Sequence, residues 1–379
     1  MTDSRFMRRV TYQHTIEYEV VNSSNLFDPQ NPALLSVGKI ENARRFVVVD
    51  GNVERYFSAE IRNYFSQNQI DARIIIFPGG EEYKTVESYL SIAQELDSFP
   101  IHRRNEPIIA IGGGVLTDVV GFVASSYRRG VPHIKVPTTL MGYVDASIGI
   151  KTGVNFNGNK NRLGVFAPPR KVLLDRSFLR TLPRRHILNG ICEIIKLAVI
   201  KDPDLFHLLE AHGAESVDAR FQDDESGVIL DRAISGMLEE LQPNLLEEDL
   251  ARKVDFGHTF SYGLETRPES HLFHGEAVLL DIAISVMIAR ERNLLTDDET
   301  GRIFNLIAGL GIILDTKVLD PYRLWQSLQE RTYHRNGLQR VPLPFGIGGC
   351  VFVNDVIVDE IESAVKLMQN WIAVKHDII

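Results

Sequence analysis

The chain has 379 residues, 44% hydrophobic and 24% charged, with a formal net charge of −9. This is ordinary globular composition with length for about two domains. The acidic balance argues against a general binder of nucleic acid or anionic membrane, but leaves room for a local basic pocket that takes a small anion.

The N-terminal residues lack the apolar core of a signal peptide. Short β-rich runs then alternate with helical stretches: residues 44–50 (RRFVVVD), a helix over 51–69, residues 71–80 (DARIIIFPGG), a helix around 86–96, and residues 107–114 (PIIAIGGG). Such alternation predicts βαβ units and a parallel sheet, with ligands bound beyond the carboxyl ends of the strands. Asp50, the PGGEEYK segment at 78–84 and the glycines 112–114 all fall at those ends. Residues 137–155 (PTTLMGYVDASIGIKTGVN) read as a loop dense in polar groups. From about residue 177, amphipathic helical patterns dominate, at 186–200, 228–242, 276–293 and 355–373. The expected organisation is an α/β domain at 1–176 and an all-helical domain at 177–379. The N-terminus and residues 217–227 look the least ordered. Residues 253–265 (KVDFGHTFSYGLE) read as the start of a helix carrying Asp255, His258 and Tyr262 on one face. The longest apolar run, 277–289, is interrupted by Asp281 and too short to span a bilayer. Cys192 and Cys350 lie outside any CxxC, which rules out a cysteine zinc knuckle and argues against a disulfide framework. The expectation is a soluble cytoplasmic protein.

Three groups carry potential chemistry. The glycines 112–114, between a strand and a helix, read either as a tight turn or as a phosphate cradle at a helix N-terminus. Asp118 follows within the helix, and the spacing is not that of a GxGxxG dinucleotide fingerprint. Arg129, Lys151, Lys160 and Arg162, with Asn161, form a basic set suited to a phosphate; a solvated basic loop is the competing reading. Glu193, His258 and His274 have the donor types of a catalytic zinc site, and Lys196 lies one turn from Glu193. Two separated histidines are also common as structural residues, and no HExxH is present.

The motifs PGGEEYK, IGGGVLTDVVGFVASSYRRG, VPTTLMGYVDASIGIKTGVN, FLRTL, ICEIIKLAVI, DFGHTF and FHGEAV occur in that order. Together they resemble the sugar phosphate cyclase superfamily, which includes the 3-dehydroquinate synthases. The resemblance implies a Rossmann-like, NAD-binding α/β domain followed by a helical, metal-binding domain. It implies NAD contacts at Asp50, Asn52, Glu81, Lys84, Gly113, Gly114, Asp118, Thr138, Thr139, Lys160 and Thr181. It implies Glu193, His258 and His274 as ligands of zinc, with cobalt as a substitute. It implies substrate contacts at Asp145, Lys151, Asn161 and Lys196, with Arg129 reaching across a homodimer interface.

The departures narrow the substrate. Dehydroquinate synthases carry a lysine and an arginine where this chain has Met237 and Ala251, with Arg252 adjacent to the latter. In those relatives the two cations hold a substrate carboxylate, so the substrate expected here lacks one. Asp255 and Tyr262 replace an Asn and a His, and His334 lies near a lysine of the relatives. Leu241, Asp255 and His334 together resemble the branch that cyclises sedoheptulose 7-phosphate to 2-epi-5-epi-valiolone, at the head of seven-carbon aminocyclitol biosynthesis. That chemistry runs through transient oxidation by NAD at C5, β-elimination of phosphate, re-reduction, ring opening and aldol closure, with no net redox change. Lys151, Lys196, Asp255, His258 and His334 are the expected catalytic residues, while Leu241, Tyr262 and Arg129 are expected to contact the substrate. Competing readings are a 2-epi-valiolone or desmethyl-4-deoxygadusol synthase on the same substrate, a dehydroquinate-type synthase, a polyol dehydrogenase of the glycerol-dehydrogenase type, and a non-catalytic descendant.

Overall fold

A computed structural model describes residues 7–35, 43–265 and 271–376. The first part is built on a six-stranded, fully parallel sheet in the order β1-β8-β5-β4-β2-β3. Its strands are β1 (Glu19–Asn22), β2 (Arg44–Asp50), β3 (Asp71–Phe77), β4 (Ile108–Gly112), β5 (His133–Pro137) and β8 (Lys171–Leu174). Helices α1 (Gly51–Gln67), α2 (Val86–Ser98) and α3 (Gly114–Ser126) are the crossovers. Strand β2 is buried on both faces. Val47 and Val49 pack into one apolar cluster, with Ile61 and Phe65 of α1, while Phe46 and Val48 pack into the other, with Leu116 and Val120 of α3. This two-sided burial explains why β2 reads as an unbroken β-branched run.

Strand β2 pairs with β3 on one side and β4 on the other, so the sheet order reverses there. The crevice at such a switch point is where open α/β sheets bind ligands. The register sets Asp50 opposite Phe77 and Gly112 opposite Pro137, which aligns the strand ends beside it.

The second part is helical: α4 (Arg184–Ile200), α5 (Pro203–Asp218), α6 (Asp224–Leu241), α7 (Ser261–Glu265), α8 (His274–Glu291), α9 (Asp297–Gly309), α10 (Pro321–His334) and α11 (Val358–His376). Helices α4 and α8 are almost wholly buried and form the centre of one large apolar cluster. That position lets a ligand-bearing side chain be held rigidly inside the molecule.

Four expectations need correction. The helical part is not all helix, because β9 (Val341–Pro344) and β10 (Cys350–Val353) pair as an antiparallel hairpin. Residues 137–155 are not a loop: a π-helical turn covers Gly142–Ala146, and β6 (Lys151–Phe156) pairs antiparallel with β7 (Asn159–Phe166). Residues 217–227 are ordered, with Asp223 capping α6 through the Ser226 N–H at 2.9 Å. The stretch 253–265 does not start as one helix. Residues Lys253–Asp255 form a 3-10 turn, Gly257 adopts a left-handed φ of 79°, and the helix begins only at Ser261. A Cβ at Gly257 would meet Val278 Cγ1 of α8 at 2.7 Å, so close packing and backbone conformation both demand glycine there.

Candidate active site

Glu193 is fully buried on α4, and His258 follows the Gly257 turn. His274 opens α8. Their donor atoms all lie within 4.8 Å of one another. His258 Nε2 and His274 Nε2 face Glu193 Oε1 at 3.8 and 3.6 Å. His258 Nδ1 is 3.2 Å from the Phe256 carbonyl, and His274 Nδ1 is 3.0 Å from a Glu265 oxygen. A carbonyl and a carboxylate only accept, so both Nδ1 atoms carry a proton, and both Nε2 atoms are turned toward Glu193. Among the described residues neither buried Glu193 oxygen has a well-formed hydrogen bond, although the Lys196 ammonium pairs with Oε2. Two imidazoles and a buried carboxylate whose Oε1 faces both of them fit a zinc-type divalent cation.

The electrostatics are those of a pocket built around positive charge. Burial works to raise the Glu193 pKa, but Lys196 and the two imidazoles hold it well below the usual carboxylate range. Burial pushes His258 down to about 3, aided by Lys196. His274 is raised to about 10 against its burial, because Glu265 and Glu193 flank it. Burial, then the Glu193 charge, raises Asp145 on the π-helical turn. Lys196 also donates to the Val254 carbonyl at 3.0 Å, which ties α4 to the 3-10 turn.

The 3-10 turn carries a charge relay. Asp255 pairs with Arg252, and its Oδ2 is 3.5 Å from Arg335. Arg252 also pairs with Glu247, which holds Lys151 at 2.5 Å. Burial opposes ionisation of Asp255, but Arg252 and Arg335 hold its pKa well below normal. Arg331 donates to the His258 carbonyl at 3.0 Å. Leu241 approaches Gly149, two residues from Lys151. His334 is exposed at the end of α10, between these two arginines in the sequence. Tyr262 donates to Asn159 at 3.2 Å, toward the β6–β7 hairpin. Asp255, His258 and Tyr262 therefore share a region without sharing a helix face.

At the sheet crevice, Asp50 caps α1 by accepting the Asn52 N–H at 2.8 Å. The PGG turn closes on Asp50: Gly79 has φ 80°, and a Cβ there would sit 2.6 Å from Asp50 Oδ2. Gly113 caps α3 without a side chain, and a Cβ on Gly114 would meet Ala146 Cβ at 2.9 Å. The first-turn N–H groups of α3 have no intrahelical acceptor, so this glycine cradle fits a pyrophosphate. Lys84 pairs with Asp118 of α3 at 2.6 Å. Asn155 joins the set: it donates to Glu81 at 2.8 Å, and its side-chain oxygen accepts the Asn161 N–H at 2.9 Å. Thr138 and Thr139 follow β5 beside the cradle, with Thr139 Oγ1 accepting the Gly142 N–H at 3.1 Å. Thr181 bonds the Phe178 carbonyl at 3.1 Å. Lys160 bonds Glu265 at 2.7 Å. Arg129 is exposed in a turn after α3, with φ 62°.

Asn155, Glu247, Glu265, Arg331 and Arg335 are not among the residues expected from the sequence. Arg331 and Arg335 flank His334 at helical spacing, which was the available signal. Glu247 and Glu265 had none, because their partners are distant in sequence.

Residues 74–189 match the 3-dehydroquinate synthase N-terminal family, and residues 190–332 match the 3-dehydroquinate synthase C-terminal family. The chain belongs to the 3-dehydroquinate synthase family. Within it, the chain is 50% identical over 365 residues to a 2-epi-5-epi-valiolone synthase of Streptomyces albus, covering 94% of this chain and 89% of that protein. It is 40% identical to a demethyl-4-deoxygadusol synthase of Trichormus variabilis, covering 92% and 87% of the two chains. The structure of a 2-epi-5-epi-valiolone synthase from Streptomyces hygroscopicus subsp. jinggangensis, with NAD+ and Zn2+ bound, superposes with a TM-score of 0.92. The identity there is 42%, with 96% of this chain and 99% of that one covered.

Proposed function

We propose that the chain is a sugar phosphate cyclase that converts sedoheptulose 7-phosphate to 2-epi-5-epi-valiolone with release of phosphate. The observation that carries the choice of substrate is the cation balance around Asp255. Met237 is buried and apolar, and Arg252 is already engaged by Asp255 and Glu247. A substrate carboxylate would find no free arginine or lysine at those positions, and desolvating it there would cost several kcal/mol. Arg252 and Arg335 use only part of the acceptor capacity of the Asp255 carboxylate, which leaves lone pairs for sugar hydroxyls.

Glu193, His258 and His274 would hold zinc or cobalt, which when bound supplies a Lewis acid for a sugar oxygen. The glycine cradle, Asp50, Lys84 and Asp118 would hold NAD, which when bound supplies a reversible hydride acceptor. Lys151 and Asn161 bind the leaving phosphate, with Lys151 released from Glu247 as the anion arrives. Lys196, pinned between Glu193 and the Val254 carbonyl, points an ammonium at the sugar hydroxyls beside the metal position. Asp255 and Leu241 shape the side of the site where the ring closes. The reading includes a homodimer and a cytoplasmic location. Strand β7 supports the dimer, since it is unpaired on its far edge among the described residues and exposes Leu163, Val165 and Phe166. Also among the described residues, no helix is long and apolar enough to cross a membrane.

The test is incubation with sedoheptulose 7-phosphate, NAD and zinc. Stoichiometric phosphate release and a 2-epi-5-epi-valiolone product by NMR support the reading. A different cyclitol, or net NADH accumulation, would replace it with one of its competitors.

A further inference from the structure

Glu265 is the last residue of α7, and its side chain is only 7% exposed. One oxygen lies 3.0 Å from His274 Nδ1 and the other accepts from Lys160 at 2.7 Å. His274 is thus bonded at Nδ1 to a carboxylate, whereas His258 is bonded at Nδ1 to a neutral carbonyl. The two imidazoles of one site are held by acceptors of different strength.

We infer that Glu265 is a positioning residue of the metal centre, fixing the His274 tautomer and ring so that Nε2 is delivered beside Glu193. The inference rests on the reading of Glu193, His258 and His274 as metal ligands. The argument is geometric. His274 sits at the first position of α8, where the side chain has no helical turn before it to lean on. Arg185 bonds Glu276 and the His271 carbonyl at the same helix start, but it leaves the imidazole itself unrestrained. The carboxylate of Glu265 supplies that restraint. An ionised acceptor on Nδ1–H also makes Nε2 a stronger donor, and partners of this kind commonly change metal affinity 10–100-fold. Lys160 keeps the second oxygen of Glu265 occupied, so the carboxylate cannot turn away from His274. The same bond connects the β6–β7 hairpin, which carries Asn161, to the metal centre.

The test compares zinc affinity by chelator competition in the wild type, Glu265→Ala, Glu265→Gln and Lys160→Met. Melting temperatures of the metal-free proteins and visible spectra of the Co2+-substituted proteins are recorded alongside. Glu265→Ala should weaken zinc binding about 10–100-fold and alter the Co2+ ligand-field bands, with the metal-free melting temperature little changed. Glu265→Gln, which keeps an acceptor oxygen, should lie between Ala and the wild type. If Glu265→Ala does not fold, the Gln variant carries the test. Lys160→Met should bind zinc much more tightly than Glu265→Ala does. Equal zinc affinity in the wild type and Glu265→Ala would overturn the inference while leaving the proposed function standing. Equal losses in Lys160→Met and Glu265→Ala would also overturn it, since the effect would then come from tethering the hairpin. A wild-type protein that binds no zinc would sink both this inference and the proposed metal centre.

Discussion

Asp255 is held by arginines from both directions in the chain, Arg252 three residues upstream and Arg335 eighty residues downstream, the latter with Nη2 at 3.5 Å from Oδ2. The acid that replaces an asparagine of carboxylate-using relatives is therefore charge-compensated before substrate arrives. It costs the site little repulsion and ties the 3-10 turn before His258 to the end of α10. Asp255→Asn removes the negative charge and leaves Arg252 and Arg335 in surplus. Steady-state kinetics should show kcat/KM for sedoheptulose 7-phosphate falling about 100-fold, or roughly 2.7 kcal/mol of transition-state stabilisation. Zinc content by elemental analysis should stay at the wild-type level. Wild-type kinetics in the variant would remove Asp255 from the site.

Lys84 and Asp118 join the PGGEEYK turn to α3 through a nearly buried ion pair. Lys84→Met leaves the Asp118 carboxylate without its cation. The variant should lose about 3 kcal/mol of stability in urea titrations and bind NAD at least tenfold more weakly by fluorescence titration. Unchanged NAD affinity would place the dinucleotide elsewhere.

Gly257 sets the path of the chain into His258. Gly257→Ala forces a side chain into the left-handed region and against Val278 of α8. A loss of about 1–3 kcal/mol is expected, together with substoichiometric zinc, because the strain is relieved by moving His258. A variant with full zinc and wild-type melting temperature would show that the turn is not what places the ligand.

His133 on β5 is buried, and its Nε2 has no hydrogen-bond partner among the described residues. Burial first, and the Lys135 charge second, push it from 6.5 down to about 3. Between those values the folded protein keeps the ring neutral while the unfolded chain takes up a proton. The unfolded state binds more protons there, so stability falls on acidification, by at most roughly 1.4 kcal/mol per pH unit. Urea midpoints measured from pH 7 to pH 4 should drop steeply for the wild type and less for His133→Phe. Parallel curves would exclude His133 as a source of the acid sensitivity.

The parallel sheet is readable because β2 and β4 are buried runs and β3 is an apolar edge run, all set between amphipathic helices, a pattern with few other solutions. The helices α4, α6 and α8 were readable for the same reason. The β6–β7 hairpin was not, because β7 is largely exposed and carries no apolar alternation. The start of the short helix α7 is not legible, because helical spacing runs through Gly257, whose left-handed turn follows from its contact with α8 and not from any local pattern. Of the site, the glycine cradle and the Glu193, His258 and His274 set stood out as chemistry-bearing types next to predicted elements. The carboxylates that organise them did not. Glu247 meets Lys151, Glu265 meets Lys160, and Asp281 accepts the Ser261 N–H at 2.9 Å only after the chain has folded.

The most direct measurement sets sedoheptulose 7-phosphate against a carboxylated heptulosonate phosphate, with NAD and zinc present and phosphate release as the readout. Turnover of the former to 2-epi-5-epi-valiolone with kcat/KM at least about 100-fold higher is the expected result, matching the missing cations at Met237 and Ala251. Comparable or faster turnover of the carboxylated substrate would contradict it.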